Sequence, residues 1–268
     1  MLKNLRNTFI SSTKHSNPIY STNKIKHKYS YWRLRTFYSI YIGYIFYYFT
    51  RKSVTFALPI LSEKLHLTMP QLGLLGTLLY ITYGISKFVG GVISDQANPR
   101  YLMSLGLLAT GVINIIFGFS SSLGTFCLLW ALNGIFQGCG WPPCTKQLTY
   151  WFSKKERGRW WSLNSTSHNV GGALIPVFVA WTISQSGDWR AAMWGSGILA
   201  IICSIWLVER LRDTPQSLGL PSIEEYKNEP STNKNQQKAT SKSILASTLK
   251  NKAVWLLAIC YFFVYVVR

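Results

Sequence analysis

Long apolar blocks, separated by short polar or basic stretches, dominate the chain. Six blocks reach the length of about 20 residues that a helix needs to cross a bilayer; they lie at about residues 37–59, 69–94, 101–120, 123–150, 159–184 and 189–208. A seventh begins near residue 254 and runs to residue 268, which is too short to span at about 1.5 Å per residue. The pattern predicts an all-α membrane protein, with a six-helix bundle over residues 37–208 and the start of a seventh helix over residues 253–268.

Basic residues are concentrated on one side of this predicted membrane. The stretches before the first block and after the second, fourth and sixth blocks are basic, whereas those after the first, third and fifth are short and nearly neutral. The positive-inside rule therefore places the N-terminus in the cytoplasm. We expect a basic cytoplasmic tail at residues 1–36, whose composition also fits an organellar transit peptide. A flexible cytoplasmic linker is expected at residues 209–252, which are polar and rich in Lys, Asn, Gln and Ser.

Composition changes this picture little. The chain is 48% hydrophobic and 14% charged, which is too apolar for an ordinary soluble domain. Its net charge of +19 would also suit a nucleic-acid binder, but the bases lie before or between apolar blocks, so we expect no nucleic-acid partner. The sequence has no Walker motif, dinucleotide fingerprint, metal-ligand cluster or nucleophile–base pair. We therefore expect neither catalysis nor a cofactor or metal.

The strongest candidate for chemistry is an arginine deep in the first block. Tyr44, Tyr48 and Arg51 fall at i, i+4 and i+7, so a helix places them on one face. A cation at such depth costs about 2.5–3.5 kcal/mol on insertion scales. Snorkelling to the membrane surface is the alternative, but the depth of Arg51 favours a role in binding. Its guanidinium group has the fork of donors that matches carboxylate or phosphate oxygens.

The same spacing returns at the end of the sequence as Tyr261, Tyr265 and Arg268. We interpret it as an internal repeat, in which Arg268 lies at nearly the same depth as Arg51. Two arginines that face each other across a pseudo-two-fold axis along the membrane normal would repel one another without a bound anion. The repeat therefore predicts a phosphate site shared by two half-bundles.

Two other blocks carry polar side chains that suit the same site. In the second block, Tyr80, Tyr83 and Lys87 lie at i, i+3 and i+7, and Lys87 is either a further anion contact or a snorkelling side chain. In the fifth block, Asn164 and His168 lie at i and i+4. His168 is either a hydrogen-bonded packing residue or a group that faces the substrate, which we favour.

Two short stretches predict irregularity at helix ends. Pro142 and Pro143 should kink or break the fourth block. Gly91, Asp95 and Arg100 lie between the second and third blocks. There the two charged side chains are expected to bond to neighbouring helix ends and stabilise one conformation, the alternative being a solvated turn.

These stretches together resemble the major facilitator superfamily and, within it, the organophosphate:phosphate antiporter family of glycerol-3-phosphate and hexose-6-phosphate carriers. The turn signature G-x-x-x-D-R-x-x-R-R of the superfamily is partly present, with Gln96 in place of its first arginine. The stretches that carry the resemblance to the antiporters are YYFTRK at 47–52, YGISKF at 83–88, GWPP at 140–143, KERG at 155–158, HNVGG at 168–172, DTPQSLGLP at 213–221 and VYVVR at 264–268.

The resemblance implies the N-terminal six-helix bundle of a major facilitator fold, followed by the start of helix seven. It also implies the roles of eight residues: phosphate-binding arginines, a substrate-site histidine and pathway-lining groups, namely Arg51, Arg268, His168, Lys87, Tyr44, Tyr48, Tyr83 and Tyr265. The implied function is exchange of a sugar phosphate for inorganic phosphate by alternating access in a bacterial inner membrane. The alternative is a hexose-phosphate sensor that signals to a membrane histidine kinase. We expect transport to need sequence beyond residue 268.

Overall fold

A computed structural model of the chain describes the backbone of residues 22–229 and 247–267 and the side chains of residues 24–229 and 247–264. All regular structure in these ranges is helical, as predicted. The α-helices are α1 Thr22–Leu65, α2 Met69–Gln96, α3 Pro99–Phe119, α4 Leu123–Gln137, α5 Trp141–Trp151, α6 Lys154–Ser186, α7 Trp189–Arg210, α8 Ile223–Lys227 and α9 Lys252–Val267, and a 3-10 turn covers Pro215–Leu218.

Helix ends follow local capping chemistry. The side chain of Asn98 accepts a hydrogen bond from the Arg100 amide at the start of α3, where Pro99 occupies the first turn. Asp188 caps α7 in the same way. Gly187, which ends α6, has a φ of 68°, a left-handed conformation that glycine adopts without strain. These caps fix the short connections between consecutive membrane-spanning segments.

Four segments are both long enough and apolar enough to cross a membrane: α2, α3, the pair α4–α5, and α7. The other two predicted spans, α1 and α6, have 44 and 33 residues. They are long enough, but their middle turns carry the polar residues of the candidate site. The chain is thus built as a multi-pass helical bundle.

Helix α1 is the central element, since it packs against α3, α4, α5, α6 and α7. Buried apolar side chains form two clusters along it. One cluster includes Tyr44, Tyr47 and Met103, and the other includes Phe49, Val54 and Phe117. Between Tyr47 and Val54, α1 carries the buried polar side chains of Thr50, Arg51 and Ser53. The core therefore has a polar layer near the middle of α1.

The fourth block is broken into two helices, as its prolines predict. Helix α4 ends at Gln137, and α5 begins at Trp141 with Pro142 and Pro143 in its first turn. The prolines are tolerated there because the amides of a first helical turn have no intrahelical partner. Residues 138–140 form the break between the two helices.

The predicted boundary of the N-terminal tail differs from the structure. Residues 22–36, expected to belong to a basic tail, continue α1 as helix. Tyr29 and Thr36 in this extension are 1% and 0% exposed. The hydropathy pattern missed this helix because its buried residues are few and lie among lysines and arginines. Residues 1–21 of the tail lie outside the described part of the chain.

The first part of the predicted linker is also packed rather than free. We call residues 211–227 the strap. Leu211, Leu220 and Ile223 of the strap are each at most 3% exposed and belong to the cluster that contains Tyr44. Tyr226 stacks on Tyr29, with ring centroids 4.4 Å apart and planes 4° apart. The polar composition of this segment predicts flexibility, but its few apolar side chains pack against the buried cluster of the bundle.

A second unit comprises residues 228–268, of which 230–246 are outside the described residues. Its helix α9, Lys252–Val267, is apolar after its first residue, Lys252, in agreement with the predicted start of a seventh helix.

Candidate functional site

Arg51 lies inside the bundle, in the polar layer of α1. Its side chain is 6% exposed. The guanidinium carbon lies 4.9 Å from the ring centroid of Tyr48 and 4.3 Å from that of Tyr83, so it is held between two aromatic faces. The Nε atom donates a 3.1 Å hydrogen bond to Oε1 of Gln137. Cation–π contacts of this kind are worth up to about 2 kcal/mol when they are desolvated, which makes a buried arginine tolerable here.

One end of the guanidinium group has no hydrogen-bond partner: the Nη2 atom is buried and donates to nothing. The nine acidic residues of the chain all lie near helix ends or in connections, at Glu63, Asp95, Glu156, Asp188, Glu209, Asp213, Glu224, Glu225 and Glu229. Within the described part of the chain, Arg51 therefore has no carboxylate partner. A buried cation with a free donor and no counter-ion has the chemistry to bind an anion.

The aromatic residues predicted on α1 do share one face. The rings of Tyr44 and Tyr48 are 5.8 Å apart, and Tyr48 bridges Arg51 to the imidazole of His168, whose centroid lies 5.9 Å from that of Tyr48. Tyr44 also packs edge-on against Trp141 at 4.9 Å. The predicted residues of the first and fifth blocks thus meet at one place in the bundle.

On α2, Tyr83 and Lys87 extend the same group. The Lys87 ammonium lies 5.8 Å from the centroid of the Tyr83 ring, and the same ring packs on Arg51. Lys87 is exposed, so it remains a candidate contact for an anion approaching the arginine. Tyr80, which the sequence pattern grouped with Lys87, instead accepts a 2.9 Å hydrogen bond from Lys52. Lys52, the residue after Arg51, is thus directed at Tyr80 on α2.

Asn164 and His168 share a helix face, as their spacing predicts, but they differ in burial. His168 is half-buried, whereas Asn164 is 0% exposed. Neither amide atom of the Asn164 side chain has a hydrogen-bond partner. Arg268 lies outside the described residues, and Tyr265 outside those whose side chains are described. The predicted pairing of Arg51 with Arg268 therefore stays a prediction.

Sequence reasoning missed the buried amides that surround the arginine. Gln137 donates to the Tyr47 carbonyl at 3.2 Å and to the Thr50 hydroxyl at 3.0 Å. Asn114 and Asn133 donate to the Thr50 carbonyl at 3.0 and 2.9 Å. The signal was present, because Asn133 and Gln137 repeat at i and i+4 in an otherwise apolar segment. These amides tie the polar turn of α1 to α3 and α4.

Of the two charged side chains at the turn between α2 and α3, one makes the expected kind of contact with a neighbouring helix end. Arg100 donates from Nε to the Val208 carbonyl at the end of α7, as expected of a contact between helix ends. The Asp95 side chain is exposed. The end of α2 is held instead by Lys146 of α5, which donates to the carbonyls of Ser94, Asp95 and Ala97 at 2.8, 3.2 and 2.8 Å.

Close packing at this turn involves Gly90 rather than Gly91. A Cβ atom on Gly90 would lie 2.8 Å from the Gly138 carbonyl oxygen, whereas one on Gly91 would meet no atom within 4 Å. The signature glycine is thus not required for contact within the described bundle.

Comparison with known proteins identifies the family of this chain. Residues 40–267 match the sequence model of the Major Facilitator Superfamily. The chain is 52% identical to the "Probable hexose phosphate transport protein" of Chlamydia pneumoniae, over 99% of this chain and 61% of that protein. It is 49% identical to the "Membrane sensor protein UhpC" of Escherichia coli, over 91% and 56%. It is 41% identical to the "Glycerol-3-phosphate transporter" of Bacillus subtilis, over 88% and 55%.

The chain spans about three fifths of the length of these relatives. Among solved structures, it matches a bacterial homologue of the human lysosomal transporter Spinster in an inward-facing, unoccupied conformation. That match has a TM-score of 0.65 at 18% identity and covers 78% of this chain and 47% of the other, so it supports the fold alone. The chain therefore belongs to the Major Facilitator Superfamily, with relatives consistent with the organophosphate:phosphate antiporter family that its motifs resemble.

Proposed function

We propose that this chain supplies one half of a binding site for a sugar phosphate and, in the whole protein, contributes to its exchange for inorganic phosphate. The observation that carries the proposal is the buried Arg51, which has a free Nη2 donor and no acidic partner in the chain. Phosphate oxygens match the geometry of the guanidinium fork, as carboxylate oxygens do. The names of the relatives, which are hexose phosphate and glycerol-3-phosphate transporters, support the same class of substrate.

In this proposal, one part of the site binds the phosphoryl group and another part contacts the sugar. Arg51 binds the phosphoryl group, and Lys87 adds a second positive charge on the α2 side. Tyr44, Tyr48 and His168 offer hydroxyl, imidazole and aromatic surfaces for the sugar. Nothing in this arrangement needs ATP or a metal ion. Arg268 is proposed as the opposing arginine, so that a bound phosphate would hold two half-bundles together during alternating access.

A sensor of the same fold is the second candidate function. The observation that favours it is the 49% identity to a membrane sensor protein, which is close to the 52% identity to a hexose phosphate transport protein. In this case, sugar-phosphate binding shifts a conformational equilibrium, and a membrane histidine kinase reads the change. The binding site itself does not separate carrier from sensor, because both need the same anion contacts.

Two measurements test these proposals. Titration of the whole protein with glucose 6-phosphate should give saturable binding that inorganic phosphate competes away and that neutral glucose does not. Proteoliposomes loaded with inorganic phosphate and containing the whole protein should then accumulate labelled sugar phosphate if it is a carrier. Binding without exchange would reject the carrier and support the sensor. Absence of binding would reject both.

We also propose that the chain lies in a bacterial inner membrane with its N-terminus and the strap in the cytoplasm, as the distribution of basic residues indicates. Lys227, at the end of α8, is exposed and offers a tryptic site on the strap. Cleavage there in inside-out vesicles, but not in right-side-out vesicles, is the expected result. The reverse pattern would overturn the orientation.

A further inference from the structure

Gln137 contacts Arg51 in a way that determines which of its donors are available. The Oε1 atom of the amide accepts from Nε of the arginine at 3.1 Å. Gln137 thus occupies the Nε donor of the guanidinium group, whereas the Nη2 donor has no hydrogen-bond partner. The rings of Tyr48 and Tyr83, whose centroids lie 4.9 and 4.3 Å from the guanidinium carbon, pack against the group and restrict its movement. The amide therefore fixes one edge of the fork while another donor remains free for a ligand.

The chemical nature of this acceptor matters as much as its position. A carboxylate in the same place would form a charge-assisted pair with Arg51 and cancel the charge that an anion needs. The neutral amide of Gln137 accepts a hydrogen bond and leaves the positive charge of Arg51 in place. No acidic side chain of the described residues forms an ion pair with Arg51, so the cation stays uncompensated until a ligand arrives.

Gln137 is itself held rigidly. Its Nε2 atom donates to the Tyr47 carbonyl and the Thr50 hydroxyl, and its side chain is 1% exposed. It is the last residue of α4, and the break that follows is tightly packed, since a Cβ on Gly140 would lie 3.2 Å from the Tyr47 ring. The three hydrogen bonds of the amide thus all go to α1, which is what a residue that orients Arg51 requires.

We propose that Gln137 is a positioning residue for anion binding: it orients the Arg51 guanidinium group through Nε and keeps its charge available because it is an amide rather than an acid. This inference rests on the proposed function and assigns a role to a residue outside the eight predicted ones. It predicts that the charge of the side chain at position 137 affects phosphate affinity more than its shape does.

The test compares Gln137→Glu and Gln137→Leu in the intact chain, titrated with inorganic phosphate and with glucose 6-phosphate. Leu removes the hydrogen bond to Arg51 but leaves its charge, so affinity should fall roughly 10- to 100-fold. Glu keeps the shape and an acceptor but neutralises the arginine, so affinity should fall at least about 10-fold further. Thermal unfolding of each variant is measured in parallel.

Asn133→Leu is the matched control, because Asn133 is a buried amide one turn earlier on α4 that bonds to the Thr50 carbonyl and not to Arg51. It should lower thermal stability and leave phosphate affinity within about twofold of wild type.

The two variants separate orientation from simple packing. A carboxylate has no Nε2 donor, so Gln137→Glu also loses the hydrogen bonds to the Tyr47 carbonyl and the Thr50 hydroxyl. A purely structural role would therefore make the loss of affinity of each variant follow its loss of thermal stability. The proposal requires Gln137→Glu to bind phosphate more weakly than Gln137→Leu, even where Gln137→Glu unfolds at the higher temperature. Phosphate binding by wild type with an undiminished Gln137→Glu variant would overturn the role of Gln137 alone. Absence of saturable binding by wild type would overturn the proposed function as well.

Discussion

The strap provides a direct test of the packing at the end of the bundle where α1 begins. Ile223 is 2% exposed, and its replacement by Ala should destabilise the docked strap by about 2–5 kcal/mol. Tyr29→Ala should act similarly, since it removes a buried ring that stacks on Tyr226 and contacts Trp151 edge-on at 6.0 Å. Tyr29→Phe should cost only about 0.5–1.5 kcal/mol, because it removes a single 3.3 Å hydrogen bond to the Pro221 carbonyl.

Limited trypsin digestion measures the opening of the strap. The bond after Arg212 is protected, because the Arg212 carbonyl accepts a 2.7 Å hydrogen bond from Gln147 and the next residue, Asp213, is 4% exposed. The bond after Lys227 is exposed in the docked strap. A destabilisation of about 2 kcal/mol or more should raise the rate of cleavage after Arg212 at least about 25-fold, while cleavage after Lys227 changes little.

Leu34→Ala is the control, because Leu34 lies on the same helical extension as Tyr29 but is 59% exposed. It should leave both cleavage rates unchanged, as most surface substitutions do. Equal and rapid cleavage after Arg212 in wild type, Leu34→Ala and Ile223→Ala would refute the docked strap. That result would restore the flexible linker that the composition of this segment predicts.

Three further substitutions test the site and its frame. Arg51→Lys keeps the positive charge but loses the planar fork and its Nε donor, so phosphate affinity should fall roughly 10- to 100-fold in titration, and wild-type affinity would contradict the site. Gly134→Ala should lower the unfolding temperature by an overpacking cost of about 1–3 kcal/mol, because its Cβ would lie 2.7 Å from the Leu79 carbonyl oxygen; Gly73→Ala, which meets no atom within 4 Å, should not. Partial burial acts to raise the pKa of Glu156, but the hydrogen bond and ion pair of its carboxylate to Arg33 of α1 outweigh the effect of burial, so the pKa is lowered. Wild type should therefore be more stable than Glu156→Gln by about 1 kcal/mol at any pH above the unfolded-state pKa of about 4.3. This difference should disappear as the pH falls through the lower folded-state pKa of Glu156. Melting curves at several pH values measure it.

The fold could be predicted because its strongest determinants are local in sequence. Blocks of about 20 apolar residues specify helices on their own, and i, i+4, i+7 spacing placed Tyr44, Tyr48 and Arg51 on one face without any tertiary information. The prolines at 142 and 143 predicted the break between α4 and α5 for a similar reason, since the lack of a backbone donor is a property of the residue.

Contacts between distant residues could not be predicted in the same way. Arg51 and Gln137 are 86 positions apart, and the pairing depends on how α1 and α4 pack. The strap was predicted as a linker because composition averages over a segment, whereas its docking depends on single side chains such as Ile223. Lys146 was missed for a related reason: a lysine in an apolar helix gives no indication of which carbonyls it will cap.

The long first helix leads to a last prediction about the effect of ligand on the strap. Tyr29, which holds the strap, and Arg51, which is proposed to hold the phosphate, lie on the same unbroken helix α1, about 33 Å apart along its axis at about 1.5 Å per residue. Apolar clusters pack on α1 on both sides of Arg51, and packed cores resist small continuous shifts. A half-bundle built in this way should move as one body, so saturating glucose 6-phosphate should leave the rate of tryptic cleavage after Arg212 unchanged. A rate that rises with ligand occupancy would instead mean that anion binding at Arg51 is transmitted along α1 to the strap, which is the behaviour that a sensor with a cytoplasmic partner requires.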